Sequence, residues 1–238
     1  IAYISDQDGE YEVWITQSDG AMEPQQITDG NETFFYQPQW SPDGKRLLLS
    51  DNDGRLYAVD LGEPDADGVF GMKDAVEIDK DPAGGGLGVS FSHDSRWITY
   101  SRAFTDERGN DVDNNAVFVV DLESEDREPV RLTSGYYSDG SPTFDRKGDY
   151  IFYVSQRQFR PSYSSFDNTW IYDDSARLMA APLRSDLDYP YLPEVDEQDW
   201  ETASSDDDED DGSPEDASGE GDASEDAEAG DEGDGGGE

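Results

Sequence analysis

The chain contains no cysteine, one histidine and four lysines in 238 residues. Without thiols there is no disulfide framework, no thiolate metal site and no cysteine nucleophile. The scarcity of positive charge excludes more. Sixteen Lys and Arg stand against 59 Asp and Glu, a formal net charge of −43. Such a chain repels nucleic acid phosphates and anionic membrane surfaces, so neither is an expected partner. No apolar run approaches the roughly 20 residues of a membrane-spanning helix. No secretory signal is visible, but the chain opens on Ile1 in the middle of an extended pattern. The expected location is the cytoplasm, with export of a longer parent left open.

The acids are unevenly spread. Twenty-two of them, and no Lys or Arg, lie beyond residue 193, which leaves 37 acids against 16 bases, a net −21, in residues 1–193. From Glu194 the composition is Asp, Glu, Ser, Gly and Ala, with too little apolar surface to offset the entropy of ordering. Residues 194–238 are therefore expected to be a disordered acidic segment. Two readings of it stand: a lure for a basic partner, or a solvated linker between domains.

What is present in the body is repetition. WSPDG at 40–44, FSHDS at 91–95 and FDRKG at 144–148 each place an aromatic before a tight turn. Each leads into a strand-like run: KRLLLS, RWITYS and DYIFYV. LYAVDL (56–61), VFVVDL (117–122) and LMAAPL (178–183) recur at a spacing of 61 residues. QQIT (25–28), VEID (76–79) and VRLT (130–133) close the units. Each unit thus reads as four short strands, a to d. Pro presets φ in the Ser-Pro-Asp-Gly turn, and Asp and Gly tolerate its geometry. Asp53-Gly54 is a hairpin signal between strands b and c of the second unit, and Asp8-Gly9 holds the same place in the first. No segment keeps a helical period.

Four-stranded antiparallel units of this length predict an all-β fold, a β-propeller segment of about four blades. The blades fall at roughly 1–28, 36–79, 87–133 and 140–183. A β-sandwich has similar strand spacing but not the repeated a-b-c-d order. The first unit supplies only b, c and d, and the last only a, b and c. Propellers close with four to eight blades, so an incomplete ring cut from a longer polypeptide is the expectation.

With the repeats laid out, residues 1–193 resemble the propeller region of tricorn-type proteases. AYISDQDGEYEVWI, WSPDGKRLLLSDNDGRLYAVDL, SHDSRWITYSRA and SPTFDRKGDYIFYVSQRQF carry the likeness, and FDNTWIYDDSARLMAAPLRSDL carries it most specifically. The resemblance implies the last blades of a second propeller, followed by a charged linker, a PDZ domain and a serine-peptidase domain. It implies a role in guiding peptides to an enclosed active site, and a parent that is homo-oligomeric. No position here matches the family's catalytic residues, so none is assigned. TolB-like and prolyl-oligopeptidase-like propellers share the SPDG turns and remain alternatives. The first would be a binding module without an enzyme, the second the cover of an α/β-hydrolase.

Chemistry is sparse. His93 is the sole histidine, and it occupies the proline position of an a–b turn. A relay needs members that converge in space, which adjacency in Ser92-His93-Asp94 does not arrange. Asp6-Gln7-Asp8-Gly9 and Asp51-Asn52-Asp53-Gly54 resemble the opening of a calcium loop but lack its full ligand order. Gly84–Gly88 lacks the Lys-Ser/Thr of a phosphate loop. No cofactor or metal is expected.

Strand order offers a better lead. In antiparallel blades the b–c and d–a connections share one end. The b–c connections lengthen along the chain: Asp51–Gly54, Arg102–Asn115, then Gln156–Ala176. The last holds Arg157, Phe159, Arg160, Tyr163, Phe166, Trp170 and Tyr172. The d–a connections add Phe34, Phe35, Tyr36, Tyr136 and Tyr137. Aromatics and Arg are favoured in contact surfaces. The face is a candidate contact for peptides or for neighbouring domains of the same polypeptide; the alternative is that the rings pack the loops onto the blades.

Charge also sets a stability expectation. Carboxylates at net −21 repel across the blade surfaces and oppose the compact state. The Debye length falls from roughly 30 Å at 0.01 M to about 3 Å at 1 M salt. Residues 1–193 are therefore expected to melt at steeply higher temperature as KCl rises from tens of millimolar to molar, as selection in a salty cytoplasm would produce. Circular dichroism across a KCl series measures this, and a flat or falling midpoint contradicts it.

Overall fold

The structure is a computed structural model that describes residues 1–7, 9–167 and 169–192. The expected acidic tail lies outside the described residues, as does Asp8 of the first hairpin signal. Among the described residues there is no helix. The first sheet holds β1 (Ala2–Ser5), β2 (Glu12–Ile15) and β3 (Gln25–Gln26). The second runs β4 (Gln39–Trp40), β5 (Arg46–Ser50), β6 (Arg55–Asp60) and β7 (Val76–Lys80) in order. The third runs β8 (Val89–Phe91), β9 (Trp97–Thr105), β10 (Asp111–Asp121) and β11 (Val130–Arg131). The fourth pairs β12 (Asp139–Phe144) and β13 (Tyr150–Ser155) with β16 (Arg177–Pro182). Between these last two, β14 (Pro161–Tyr163) and β15 (Trp170–Tyr172) form a separate hairpin. Every pairing is antiparallel. The outer sheets supply b-c-d and a-b-c, the two inner sheets the full set. This is an incomplete all-β propeller.

The inner sheets are covered on both faces, which is why their strands read as unbroken apolar runs. Successive side chains of a strand point to opposite faces. Leu47 and Leu49 of β5 therefore join Val13, Ile15 and Ile27 of the first sheet. Leu48, between them, turns the other way to Ile98, Tyr100 and Phe118 of the third. On β10, Ala116, Phe118 and Val120 face the second sheet, and Val117 packs on Ile151 and Tyr153 of the fourth. Burying each such Leu or Val contributes about 1.5–3 kcal/mol.

The first two a–b turns share one side-chain bonding pattern, and the third replaces it with a single aspartate. The Ser41 hydroxyl donates to Asp43 Oδ1 (2.6 Å) and accepts from the Arg46 N–H (3.0 Å). Ser92 repeats this with Asp94 and the Trp97 N–H. In the third turn Asp145 alone accepts from the N–H groups of Lys147, Asp149 and Tyr150. His93 sits exposed at the tip of the second turn. Among the described residues no hydrogen bond joins it to a serine or a carboxylate, while Ser92 is committed to its turn.

The b–c connections depart from expectation at one point. Residues 102–115, read as a loop, are mostly strand. Their turn spans Asp106–Gly109, where Asp106 Oδ1 accepts from the N–H groups of Arg108 (2.9 Å) and Asn110 (2.8 Å). Strands β9 and β10 run on to this turn, with a bulge between Val112 and Ala116. Phe104 holds the extension down: Arg131 lies over its ring at 4.4 Å, and Gly135 leaves the space into which the ring fits.

Candidate peptide-contact face

All b–c and d–a connections gather at one end of the sheets, and the candidate residues divide there into three groups. The first surrounds Phe34. Its ring meets Tyr11 edge-on at 5.0 Å and Tyr36 at 5.6 Å, and it is 46 % exposed. Tyr36 in turn lies against Gly86, where any Cβ would collide with the ring. Phe35 points the opposite way. It is 3 % exposed and packs in the core between the first two sheets, so it presents no surface to a partner.

The second group is Tyr136, Tyr137 and Arg157. The two tyrosine rings meet edge-on at 4.9 Å, and the Arg157 guanidinium stands over Tyr137 at 5.1 Å. Arg157 Nε donates to the Ser155 hydroxyl (2.8 Å), and Nη2 lies 3.7 Å from buried Asp139. Tyr136 is 77 % exposed.

The third group is the β14–β15 hairpin. Tyr163 is paired with Trp170 and Pro161 with Tyr172, and alternation puts these four on one face. Tyr163 and Trp170 meet at 5.5 Å, and Phe159 extends the row to Tyr172 at 5.9 Å. Phe159 is 77 % exposed and Phe166, nearer the tip, 99 %. Arg160 is exposed beside them. Tyr11 and the contact of Tyr172 with Phe159 emerge only in the structure; Tyr11, just after Asp8-Gly9 in the first b–c connection, is the one the sequence pattern could have pointed to.

Beneath the face, polar networks fix the connections. Asp51 is fully buried and accepts from Thr33 (3.1 Å), the Asp53 and Arg55 N–H groups (2.9 and 2.8 Å) and Tyr57 (3.0 Å). Burial alone would raise its carboxyl. The bonds from the Arg55 N–H, Tyr57 and Thr33, with the Arg55 charge, outweigh that and hold it below the usual carboxylate range. Burial, with the bond to Asp51, pushes the Tyr57 phenol up. Between the second and third sheets, Asp79 accepts from the Tyr100 hydroxyl and from Arg102 Nε (2.6 Å). Burial and then the Asp79 charge push the Tyr100 phenol well above its ordinary range. Among the described residues no cluster of His, Cys, Asp and Glu could hold a metal ion.

Repeated antiparallel sheets, packed face to face through three cores, define a β-propeller protein with an aromatic connection face. The sequence matches the family described as the Tricorn protease second beta propeller domain over residues 1–228, and the chain belongs to that family. It is similar to Tricorn protease homolog 1 of Streptomyces coelicolor, 25 % identical over 163 residues, which are 68 % of this chain and 14 % of that protein. The solved tricorn protease superposes with a TM-score of 0.64 at 18 % identity, over 79 % of this chain and 17 % of that one. A solved prolyl endopeptidase gives 0.42 at 15 % identity, over 75 % of this chain and 28 % of that one. The chain thus spans about a seventh of the curated relative's length.

Proposed function

We propose that this chain is a non-catalytic propeller segment of a tricorn-type serine protease, and that its connection face guides peptides toward a catalytic domain carried elsewhere in the polypeptide. The observation that supports it most is the row of uncovered rings: Phe159, Tyr163, Trp170 and Tyr172 stand exposed on one hairpin face. Contiguous exposed aromatic surface marks an interaction site. Rings offer contact area with little side-chain entropy to lose, which suits a surface that passes many sequences. A two-stranded hairpin is marginal by itself, so docking of this arm against a neighbouring domain is the second role the same surface supports.

The test is fluorescence anisotropy of a labelled, unstructured ten-residue peptide of neutral or positive charge, since an acidic one is repelled. The double substitution Phe159→Ala and Trp170→Ala is expected to weaken binding at least fivefold with the melting temperature within about 2 °C, because exposed positions contribute little to stability. Unchanged binding in that variant removes the peptide reading.

A further inference from the structure

The end of the sheets opposite the aromatic face carries the a–b turns, and two successive sheet junctions are closed there differently. Between the second and third sheets, Ser95 plugs the gap. It is buried and holds a φ of 63°, at the turn position where glycine stands in the other two turns. Its hydroxyl accepts from the Asp43 N–H across the junction (3.0 Å), and its carbonyl accepts from Arg46 Nη1 (3.4 Å). One junction further, Gly148 takes this position, with a φ of 75° and no atom within 4 Å of where a Cβ would be. The position of Arg46 is taken there by Trp97, which has no guanidinium to reach across the junction, and the adjacent Arg96 is held by Asp121 at 2.6 Å. The third and fourth sheets are left with an open slot.

That slot is a cavity of about 380 Å³, walled by Trp97, Val119, Phe144 and Leu183, with His93 and Lys147 at its mouth. Its size falls within the roughly 300–1,000 Å³ of small-ligand sites, which join apolar walls to a few polar groups. In a chain with four lysines and one histidine, one of each meets at this mouth. Asp94 also borders it, but its carboxylate is taken up by the Ser92 hydroxyl and the Arg96 N–H. Lys147 Nζ has no carboxylate within ion-pairing distance among the described residues, whereas Lys45 at the first a–b turn is paired with Glu63 at 2.6 Å.

We infer that this slot binds an apolar side chain carrying a nearby carboxylate: the side chain enters between Trp97 and Phe144, and the carboxylate meets Lys147 with His93 as a second donor. A peptide ending in an apolar residue and a free N-acylated apolar amino acid share this chemistry. The site lies at the opposite end of the sheets from the aromatic face and does not depend on the role proposed for that face.

The test is calorimetric and NMR titration of the full chain in 0.15 M KCl, where a Debye length of about 8 Å screens the distant surface acids. The probes are N-acetyl-phenylalanine, its amide, and a pentapeptide ending in phenylalanine. The acid is expected to shift the Trp97 indole N–H resonance and to bind at least tenfold more tightly than the amide. Lys147→Met should abolish that preference while leaving amide binding as it was. Gly148→Ser, for which Ser95 is the precedent, should close the slot and remove binding of both; its φ of 75° strains the serine and lowers the melting temperature, so an unchanged circular dichroism spectrum at the titration temperature shows that the fold is kept. A pentapeptide that binds more tightly than the acid identifies a peptide end as the natural occupant; equal affinity identifies the free acid. Equal affinity for acid and amide, no binding at 5 mM of either, roughly the millimolar limit of measurable affinity, or binding that survives Gly148→Ser overturns the assignment.

Discussion

Phe35→Ala is expected to destabilise the body by about 3–5 kcal/mol, whereas Phe34→Ala, one residue earlier, costs less than about 1 kcal/mol. The two rings are chemically identical and adjacent in the chain. Their surroundings differ. Phe35 is nearly inaccessible, meets Tyr57 edge-on at 5.7 Å and packs among Val13, Ile27, Leu47 and Leu49. Removing it opens a cavity at the junction of the first two sheets, where neighbours on rigid strands cannot collapse to refill it. Phe34 rests on Tyr11 and Tyr36 with nearly half its surface in water. Urea unfolding of both variants, followed by tryptophan fluorescence, separates a core ring from a contact ring. Similar losses for the two would mean that Phe34 is also part of the packing.

That contrast shows where sequence reading reaches its limit. The blades were legible because they rest on local chemistry repeated in a fixed order: an aromatic, a turn of Ser-Pro-Asp-Gly type, then an apolar strand. Runs such as Leu47-Leu48-Leu49 signal burial on both faces, and the structure divides them between two cores as the period of two requires. A run such as Phe34-Phe35-Tyr36 has no such period, because it lies in a connection. Which ring turns inward is decided by the neighbouring blade, so the three could not be told apart. The segment from Arg102 to Asn115 misled for a related reason. Its Asp, Asn and Gly content reads as loop, yet only Asp106–Gly109 turns. The strand extension around it is held by Phe104 against Gly135 and Arg131, contacts distant in sequence. The slot beside Lys147 was hidden too: Gly148 looks like an ordinary turn glycine until Ser95 shows what the same position does one blade earlier.

Asp51→Ala should be as damaging as the loss of Phe35, through a different mechanism. The carboxylate is fully buried and collects donors from three segments: Thr33 before strand a, the Asp53 and Arg55 N–H groups of the b–c turn, and the Tyr57 hydroxyl on strand c. Alanine leaves these donors without their acceptor, and the half-buried Arg55 charge, 3.3 Å from Asp51, keeps only its more exposed partners Asp53 and Glu77. Breaking one side of a buried ionic network costs about 3–5 kcal/mol. Asp51→Asn keeps the shape and one acceptor oxygen but loses the charge, so its cost should be smaller and should depend on pH. The carboxyl is held below the usual range in the fold, as is that of Asp60 between Arg127 and Arg46. A group of this kind contributes stability that is fully present above the unfolded value of about 3.9 and is lost as pH falls through the folded value. The difference in unfolding free energy between the parent chain and Asp51→Asn should therefore be constant from about pH 7 to 5 and shrink below about pH 4. Every other acid is common to the two proteins, so the difference isolates Asp51. A gap that stays the same down to pH 3 would show that the network needs only a neutral acceptor, and that the charge on Asp51 does not hold the turn.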